Sequence, residues 1–313
     1  MSKPVIAIDM GGTKIKAGIV QQGIIHSSLS IDADSGNGLR QRLPHLQEAI
    51  ESLLNQEGLS TAEIAGLGIA SPGIVDSIQK KILSIDKKFG DAPGIDLEEW
   101  CLKTFNIPFC IENDARSSLW GEWKYGKAKN YDNAAIITLG TGVGSAAIIG
   151  GKLLKGKHFT AGILGGHSVI NYNGRICNCG NKGCVETEAS TWNVETIAKS
   201  DINFAESPLT HAPVIDYELV FRLAAEGDQV ALRIREQSVK AWSACAINLI
   251  HAYDPEILLF TGGIMASSTQ IIPFIRQHIE KHAWTPWGTV HIEEGVFPGT
   301  AALLGIAHLT EHS

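Results

Sequence analysis

No run in this chain is long and apolar enough to cross a bilayer, and no apolar leader follows Met1-Ser-Lys-Pro4. Neither a membrane span nor secretion is therefore expected. Basic charge is in deficit: 26 Lys and Arg stand against 33 Asp and Glu, a net charge of −7, and no basic stripe runs along the chain. That argues against a nucleic-acid surface. Cysteine is sparse, six in 313 residues, which does not suggest the disulfide framework of an exported protein. The few aromatics and methionines are accounted for by cores. What is left is the composition of a cytoplasmic enzyme, with apolar content for a sizeable core in each of about two domains.

Three of the six cysteines are not scattered. They follow a histidine in His167-Ser-Val-Ile-Asn-Tyr-Asn-Gly-Arg-Ile-Cys177-Asn-Cys179-Gly-Asn-Lys-Gly-Cys184-Val-Glu186. Zn²⁺ takes four thiolate or imidazole ligands in a tetrahedron, and His167, Cys177, Cys179 and Cys184 would close that shell with no position for water. Such a site is structural. Gly180 and Gly183 allow the tight folding that brings the sulfurs together, and the same loop delivers Glu186 to a fixed place. A disulfide or a group of buried free thiols is the competing reading. Cys101, Cys110 and Cys245 lie far from the cluster in apolar segments and read as core.

The chain opens on a strand, Val5-Ile-Ala-Ile-Asp9, then Met-Gly11-Gly12-Thr13-Lys14 and a second strand from Ile15 to Val20. A two-glycine turn offers backbone N–H groups to an anion, Thr13 adds a hydroxyl, and Asp9 at the strand end can serve Mg²⁺ or its water. Hairpins also use glycine simply for its access to positive φ, so the turn alone is a weak signal. The design recurs in Ala134–Leu139, the turn Gly140-Thr141-Gly142-Val143-Gly144 and a strand from Ser145 to Ile149. Two such units about 130 residues apart suggest related lobes that face a shared cleft, with a nucleotide between them.

Between the turns, Phe109-Cys-Ile-Glu112-Asn113-Asp114 precedes a helical pattern from Ala115 to Trp123. A carboxylate leaving the carboxyl end of a strand is where an open α/β sheet places its chemistry. Asp114 also reads as a helix N-cap. A cap alone does not account for the polar pair Asn113-Asp114 ending an apolar strand.

These residues resemble the ROK family of sugar kinases and transcriptional repressors, over a stretch from Asp9 to Gly305. Asp9-Met-Gly-Gly-Thr-Lys14 is similar to its first phosphate loop and Leu139-Gly-Thr-Gly-Val-Gly144 to its second. Ser71-Pro-Gly-Ile-Val-Asp76 resembles its Pro-Gly segment, Glu112-Asn-Asp114 its catalytic segment, and Cys177-Asn-Cys-Gly-Asn-Lys-Gly-Cys184-Val-Glu186 its zinc signature, the most specific of these motifs. The resemblance implies an α/β, two-lobed actin-like ATPase fold (ribonuclease H-like). It implies transfer of the γ-phosphoryl of ATP to the 6-hydroxyl of a hexose, with Mg²⁺ and a structural Zn²⁺. Asp114 would be the general base, and Asn113, Glu186 and the neighbourhood of His167 would hold the other hydroxyls. Asp9 would serve the Mg²⁺ end of the nucleotide, and Gly11, Gly12, Thr13, Lys14, Gly140, Thr141 and Gly142 its phosphates. Gly262 and Gly263, after the strand Ile257–Thr261, would lie beneath the adenosine. A homodimer is also implied.

Two departures bear on the sugar. Family kinases end a Gly-Glu-x-Gly-His segment at the zinc histidine, with the Glu on hydroxyls near C1 and C2; here the segment is Gly162-Ile-Leu164-Gly-Gly166-His167. An apolar wall discriminates hydroxyls weakly. The loop that usually carries a sugar-binding Asn reads Ile85-Asp86-Lys87-Lys88-Phe89-Gly90-Asp91. Lys87 and Lys88 read as a solvated loop, and Asp86 is open. Glucose is the first expectation; mannose, fructose, allose and the N-acetylated amino sugars remain in play, as does a non-catalytic sugar sensor. Against the sensor, no helix-turn-helix is expected ahead of the strand at Val5, and Asp114 and both turns are intact.

Elsewhere, Leu39–Gln56 and Ala231–Tyr253 have helical spacing. Ser200–Asp216 reads as a loop, Gly299–Gly305 as a helix start, and His211, His278, His282 and His291 as having no ligand role. The expected division is 1–130 and 131–313.

Overall fold

The apolar run at the start of the chain becomes β1 (Val5–Met10), buried at every position except the partly buried Asp9. The computed structural model describes residues 2–313. β1 turns back through Gly11-Gly12-Thr13 into β2 (Lys14–Gln21), antiparallel to it, with Asp9 opposite Lys16; β3 (Ile24–Asp32) extends the meander. There follow α1 (Leu43–Glu57), β4 (Leu67–Ser71), a small hairpin of β5 (Ile74–Asp76) and β6 (Lys81–Ser84), α2 (Leu97–Phe105), β7 (Phe109–Asn113) and α3 (Asp114–Tyr125). The sheet order is β3-β2-β1-β4-β7, with β4 parallel to β1 and β7 parallel to β4. β4 is buried throughout, as a parallel strand covered on both faces must be. α1 begins at Leu43, four residues later than its spacing predicts, where Pro44 suits the first turn because its missing N–H is not needed there.

The second half repeats this plan. β8 (Ala134–Leu139) and β9 (Val143–Ile149) form the antiparallel hairpin, followed by β10 (Lys152–Leu153), a single turn α4 (Val185–Glu188), α5 (Thr191–Lys199), α6 (Tyr217–Ala225), α7 (Gln229–Tyr253), β11 (Ile257–Thr261), α8 (Ser268–His282), β12 (His291–Glu294) and α9 (Ala301–Glu311). The order is β10-β9-β8-β11-β12, with β11 parallel to β8 and β12 parallel to β11. The repeat suggested by two glycine turns is thus a repeat of sheet topology. Asp228 caps α7 by accepting the Ala231 N–H at 2.8 Å, and the wholly buried Trp242 satisfies its indole on the Ala189 carbonyl at 2.8 Å.

The chain forms two compact units, but not by a single cut at 130/131. The first takes residues through Asn130 together with Leu153–Ala161 and Gly299–Ser313; the second is Tyr131–Lys152 and Gly162–Pro298. Each has its own apolar core, around Ile8, Ile69 and Ile111 in one and Ile137, Trp242 and Phe260 in the other. Two segments beyond residue 130 therefore return to the first unit. α9 does so because its apolar residues Ala301–Ala307 find cover on β1, β4 and α3. Gly121 and Gly305 make that approach possible: a Cβ on Gly305 would stand 1.8 Å from the Ser117 oxygen, and one on Gly121 2.2 Å from that of Ala301. Leu153–Ala161 is held by the fully buried Arg116, whose guanidinium donates to the carbonyls of Leu154 at 3.0 Å, Phe159 at 3.0 Å and Ala161 at 2.8 Å. Among the described residues no helix is long and apolar enough to cross a membrane.

Candidate functional site

In the first unit the strand ends bring Asp9, the Gly11-Gly12 turn and Asn113-Asp114 into one electrostatic neighbourhood. Asn113, not Asp114, is the N-cap of α3: its Oδ1 accepts the Arg116 N–H at 3.1 Å. Its amide donates to the Gly73 carbonyl and to Asp114 Oδ1, each at 3.0 Å. Asp114 is the first helical residue, and the same Oδ1 accepts the Ala115 N–H at 2.8 Å. The rotamer is fixed through one oxygen, and Oδ2 has no protein donor among the described residues. Burial pushes the Asp114 pKa up, partly offset by the Ala115 N–H and the Lys88 charge. Asp9 is pushed up to about 7, first by burial and then by the Asp114 charge, against the opposing pull of Lys16. A carboxylate raised by its own burial and by a neighbouring carboxylate suits a site completed by a cation, and Asp9 fits the Mg²⁺ role on that ground.

The glycines of the first turn are there for space. Neither Gly11 nor Gly12 has positive φ, contrary to the usual hairpin reason for glycine. A Cβ on Gly11 would lie 2.6 Å from the Lys14 oxygen, and one on Gly12 2.5 Å from Lys88 Cε. The turn is braced by Ser35 Oγ, which donates to the Gly12 carbonyl at 2.9 Å, and by the Ala33 N–H on the Thr13 carbonyl at 2.9 Å. Thr13 and Lys14 are exposed, and Lys14 pairs with Asp32. Lys88, read from sequence as part of a solvated loop, is instead partly buried against the turn.

In the second unit Glu186 is tied to the second turn. Its Oε2 accepts the Val143 N–H at 3.0 Å and its Oε1 the Trp192 indole N–H at 3.2 Å. A Cβ on Gly142 would stand 2.6 Å from that Oε2, so carboxylate and turn are in contact. A carboxylate offers about four acceptor sites, so capacity for a ligand hydroxyl remains. The turn closes on itself through Gly140 N–H to the Gly142 carbonyl at 3.0 Å, and the Trp192 N–H caps Thr141 at 3.1 Å. Gly262, at φ 102°, leaves β11 so close to the end of β8 that a Cβ would lie 2.2 Å from the Leu139 oxygen. Gly263 is open on its Cβ side.

The candidate metal site is approached from β9. Ser145 Oγ donates to the Gly162 carbonyl at 2.6 Å and accepts the Gly165 N–H at 2.8 Å, which seats the segment leading to His167. The ligand atoms of His167, Cys177, Cys179 and Cys184 all lie within 4.8 Å of one another. Cys179 Sγ and Cys184 Sγ are 3.7 Å apart, and all six cysteines are free in this structure. A tetrahedron with Zn–S bonds of about 2.3 Å has sulfur–sulfur edges of about 3.8 Å, so the four residues fit zinc. Cys184 runs directly into α4, which carries Glu186. Leu164, ahead of this loop, is 44% exposed.

A family model described as "ROK family" matches residues 5–313. Over 97% of this chain and 96% of its own length, a glucokinase of Thermotoga maritima is 28% identical. A xylose repressor of Bacillus subtilis is 27% identical over 78% of this chain and 60% of its own length. The crystal structure of a ROK family glucokinase from Streptomyces griseus in complex with glucose and AMPPNP superposes with a TM-score of 0.85 at 26% identity, covering 99% of this chain and 100% of that one. The two-lobed, actin-like α/β fold expected from the sequence is borne out.

Proposed function

The chain belongs to the ROK family, and we propose that it is an ATP-dependent sugar kinase acting on the 6-hydroxyl of a hexose, with glucose the first substrate to test. The observation that carries this reading is Asp114: partly buried, raised in pKa, fixed through Oδ1 and with Oδ2 open to a substrate proton. Similarity to kinases along nearly the whole chain supports it.

Phosphoryl transfer needs positioning, neutralisation of phosphate charge and a base for the incoming hydroxyl. In the proposed reaction Asp114 Oδ2 takes the proton from the sugar 6-hydroxyl as the O6–Pγ bond forms. The bond between Pγ and its bridging oxygen breaks and ADP leaves. The raised pKa makes Asp114 a better base than an exposed aspartate. The backbone of Gly11-Gly12-Thr13 and of Gly140-Thr141-Gly142 cradles the phosphates, and Gly262-Gly263 supports the adenosine. Asp9 would hold Mg²⁺, which would supply charge neutralisation at the phosphates. Asn113, Glu186 and the surroundings of His167 face the remaining sugar hydroxyls, and the zinc cluster fixes the loop that carries Glu186.

A different hexose is the second reading, and Leu164 favours it: an exposed apolar side chain stands where family kinases carry a Glu for C1 and C2 hydroxyls. The test is ADP release with Mg-ATP on glucose, mannose, fructose, allose, N-acetylglucosamine and N-acetylmannosamine. Turnover on one of them, absent in Asp114→Asn, supports the proposal. Silence on all of them, with folded and zinc-loaded protein, transfers weight to a sugar sensor.

A further inference from the structure

Lys88 occupies a conformation that a solvated loop lysine has no reason to hold. The Lys88 N–H bonds to the Asp86 carbonyl at 2.7 Å, closing a γ-turn on Lys87 at φ 55°; Phe89 follows at φ 47°. Positive φ costs a side-chain-bearing residue about 1 kcal/mol or more, and a γ-turn of this sign is the rarer, more strained form. Two such residues flank Lys88. The strain is held in place by Phe89, whose ring is wholly buried in the first core and whose N–H bonds to the Ser35 carbonyl at 2.7 Å. Ser35 is also the residue that braces Gly12. Loop and phosphate turn are therefore fastened to one another.

The result is a cation aimed at the turn. Lys88 Nζ lies 2.8 Å from where a Cβ on Gly12 would stand, so the absence of a side chain there makes room for the ammonium. Lys88 also acts electrostatically on Asp114, lowering its pKa. Its ammonium forms no ion pair or hydrogen bond among the described residues, whereas Lys14 pairs with Asp32, Lys16 reaches the Gly299 carbonyl and Lys155 pairs with Glu112. An ammonium on a partly buried lysine, with no direct ion pair and within reach of both the Gly12 turn and the Asp114 charge, suits one occupant: the group that passes between turn and base.

We propose that Lys88 is a phosphate ligand of this enzyme, binding the terminal phosphoryl group of the nucleotide and holding it in front of Asp114. This rests on the kinase reading and deepens it. A lysine here neutralises charge on the transferring group as a compact point charge. It also explains why the loop has basic residues where a neutral sugar-binding segment is expected: its lysine addresses the phosphoryl donor.

The test is calorimetric titration with Mg-AMPPNP and with Mg-ADP on wild type, Lys88→Met and Lys88→Arg. Met keeps the aliphatic stem, and melting curves check that both variants fold. A charge-assisted hydrogen bond is worth about 1.5–3 kcal/mol, so AMPPNP affinity should fall on the order of tenfold to a hundredfold in Lys88→Met. ADP affinity should change little, and Lys88→Arg should retain most AMPPNP binding. Equal losses for both nucleotides, or no loss for AMPPNP, would overturn the assignment while leaving the kinase reading in place. Wild-type protein that binds neither nucleotide would remove both.

Discussion

Asp114, at the start of α3, acts on Asp9, near the end of β1: the Asp114 charge is the second largest cause, after burial, of an Asp9 pKa raised to about 7. An acid whose pKa rises on folding adds stability below its ordinary value of 3.8, and loses it as pH climbs through about 7. Asp9→Asn should therefore melt higher than wild type at pH 8 in the absence of nucleotide, with the advantage shrinking toward pH 5. A gain of a few degrees is expected, since a kilocalorie shifts Tm by about 2–4 °C in domains of this size. A difference independent of pH between 5 and 8 would contradict the coupling.

Arg116 and Glu112 form a wholly buried pair at 3.3 Å, extended by Lys155 at 2.7 Å from the other Glu112 oxygen. Breaking a buried pair by removing one partner costs about 3–5 kcal/mol, although Lys155 would remain on Glu112. Arg116→Met also strips donors from the carbonyls of Leu154, Phe159 and Ala161. Denaturant unfolding should show a loss of at least that size, with increased hydrogen exchange over Leu153–Ala161. Near-wild-type stability would show that the segment is held by something else.

Glu186 is the one acceptor that both Val143 N–H and the Trp192 indole use. Glu186→Ala should cost about 1–3 kcal/mol, because the Val143 N–H loses its acceptor. On the kinase reading it should also weaken both sugar and AMPPNP binding, because the Gly140-Thr141-Gly142 turn, the proposed phosphate cradle, loses its brace. Loss of sugar binding with unchanged AMPPNP affinity would separate the carboxylate from the turn.

Zinc analysis should return one ion per chain, from the single cluster of His167, Cys177, Cys179 and Cys184. Chelation should raise hydrogen exchange from 167 to 189 and abolish sugar binding. Because Cys184 leads straight into the turn bearing Glu186, AMPPNP binding should weaken as well. A zinc-free protein with a protected loop would refute this role.

Local pattern was enough to read much of this molecule. β1, β8 and β11 are apolar runs ending in turn residues, and the ligand spacing from His167 to Cys184 announces a metal loop before any contact is known. What escaped depends on distant partners. α9 belongs to the first unit because Gly121 and Gly305 allow it to approach α3, and neither glycine is marked as special by its neighbours in sequence. Gly11 and Gly12 invite the positive-φ explanation; the structure shows they make room for Lys14 backbone and Lys88 side chain. Lys88 itself looks like any loop lysine until Phe89 is seen anchored in the core. The arrangement of two acidic groups with Lys16 and Lys88 is a tertiary property, and no spacing encodes it.

The account depends most on Asp114 as the base, and the direct measurement is turnover by Asp114→Asn beside wild type on whichever hexose the panel identifies. The substitution keeps shape and the oxygen that accepts the Ala115 N–H, so sugar and AMPPNP should still bind within a few fold while kcat falls by about 10²–10⁴. Substantial residual kcat with intact binding would place the base elsewhere and contradict the central claim.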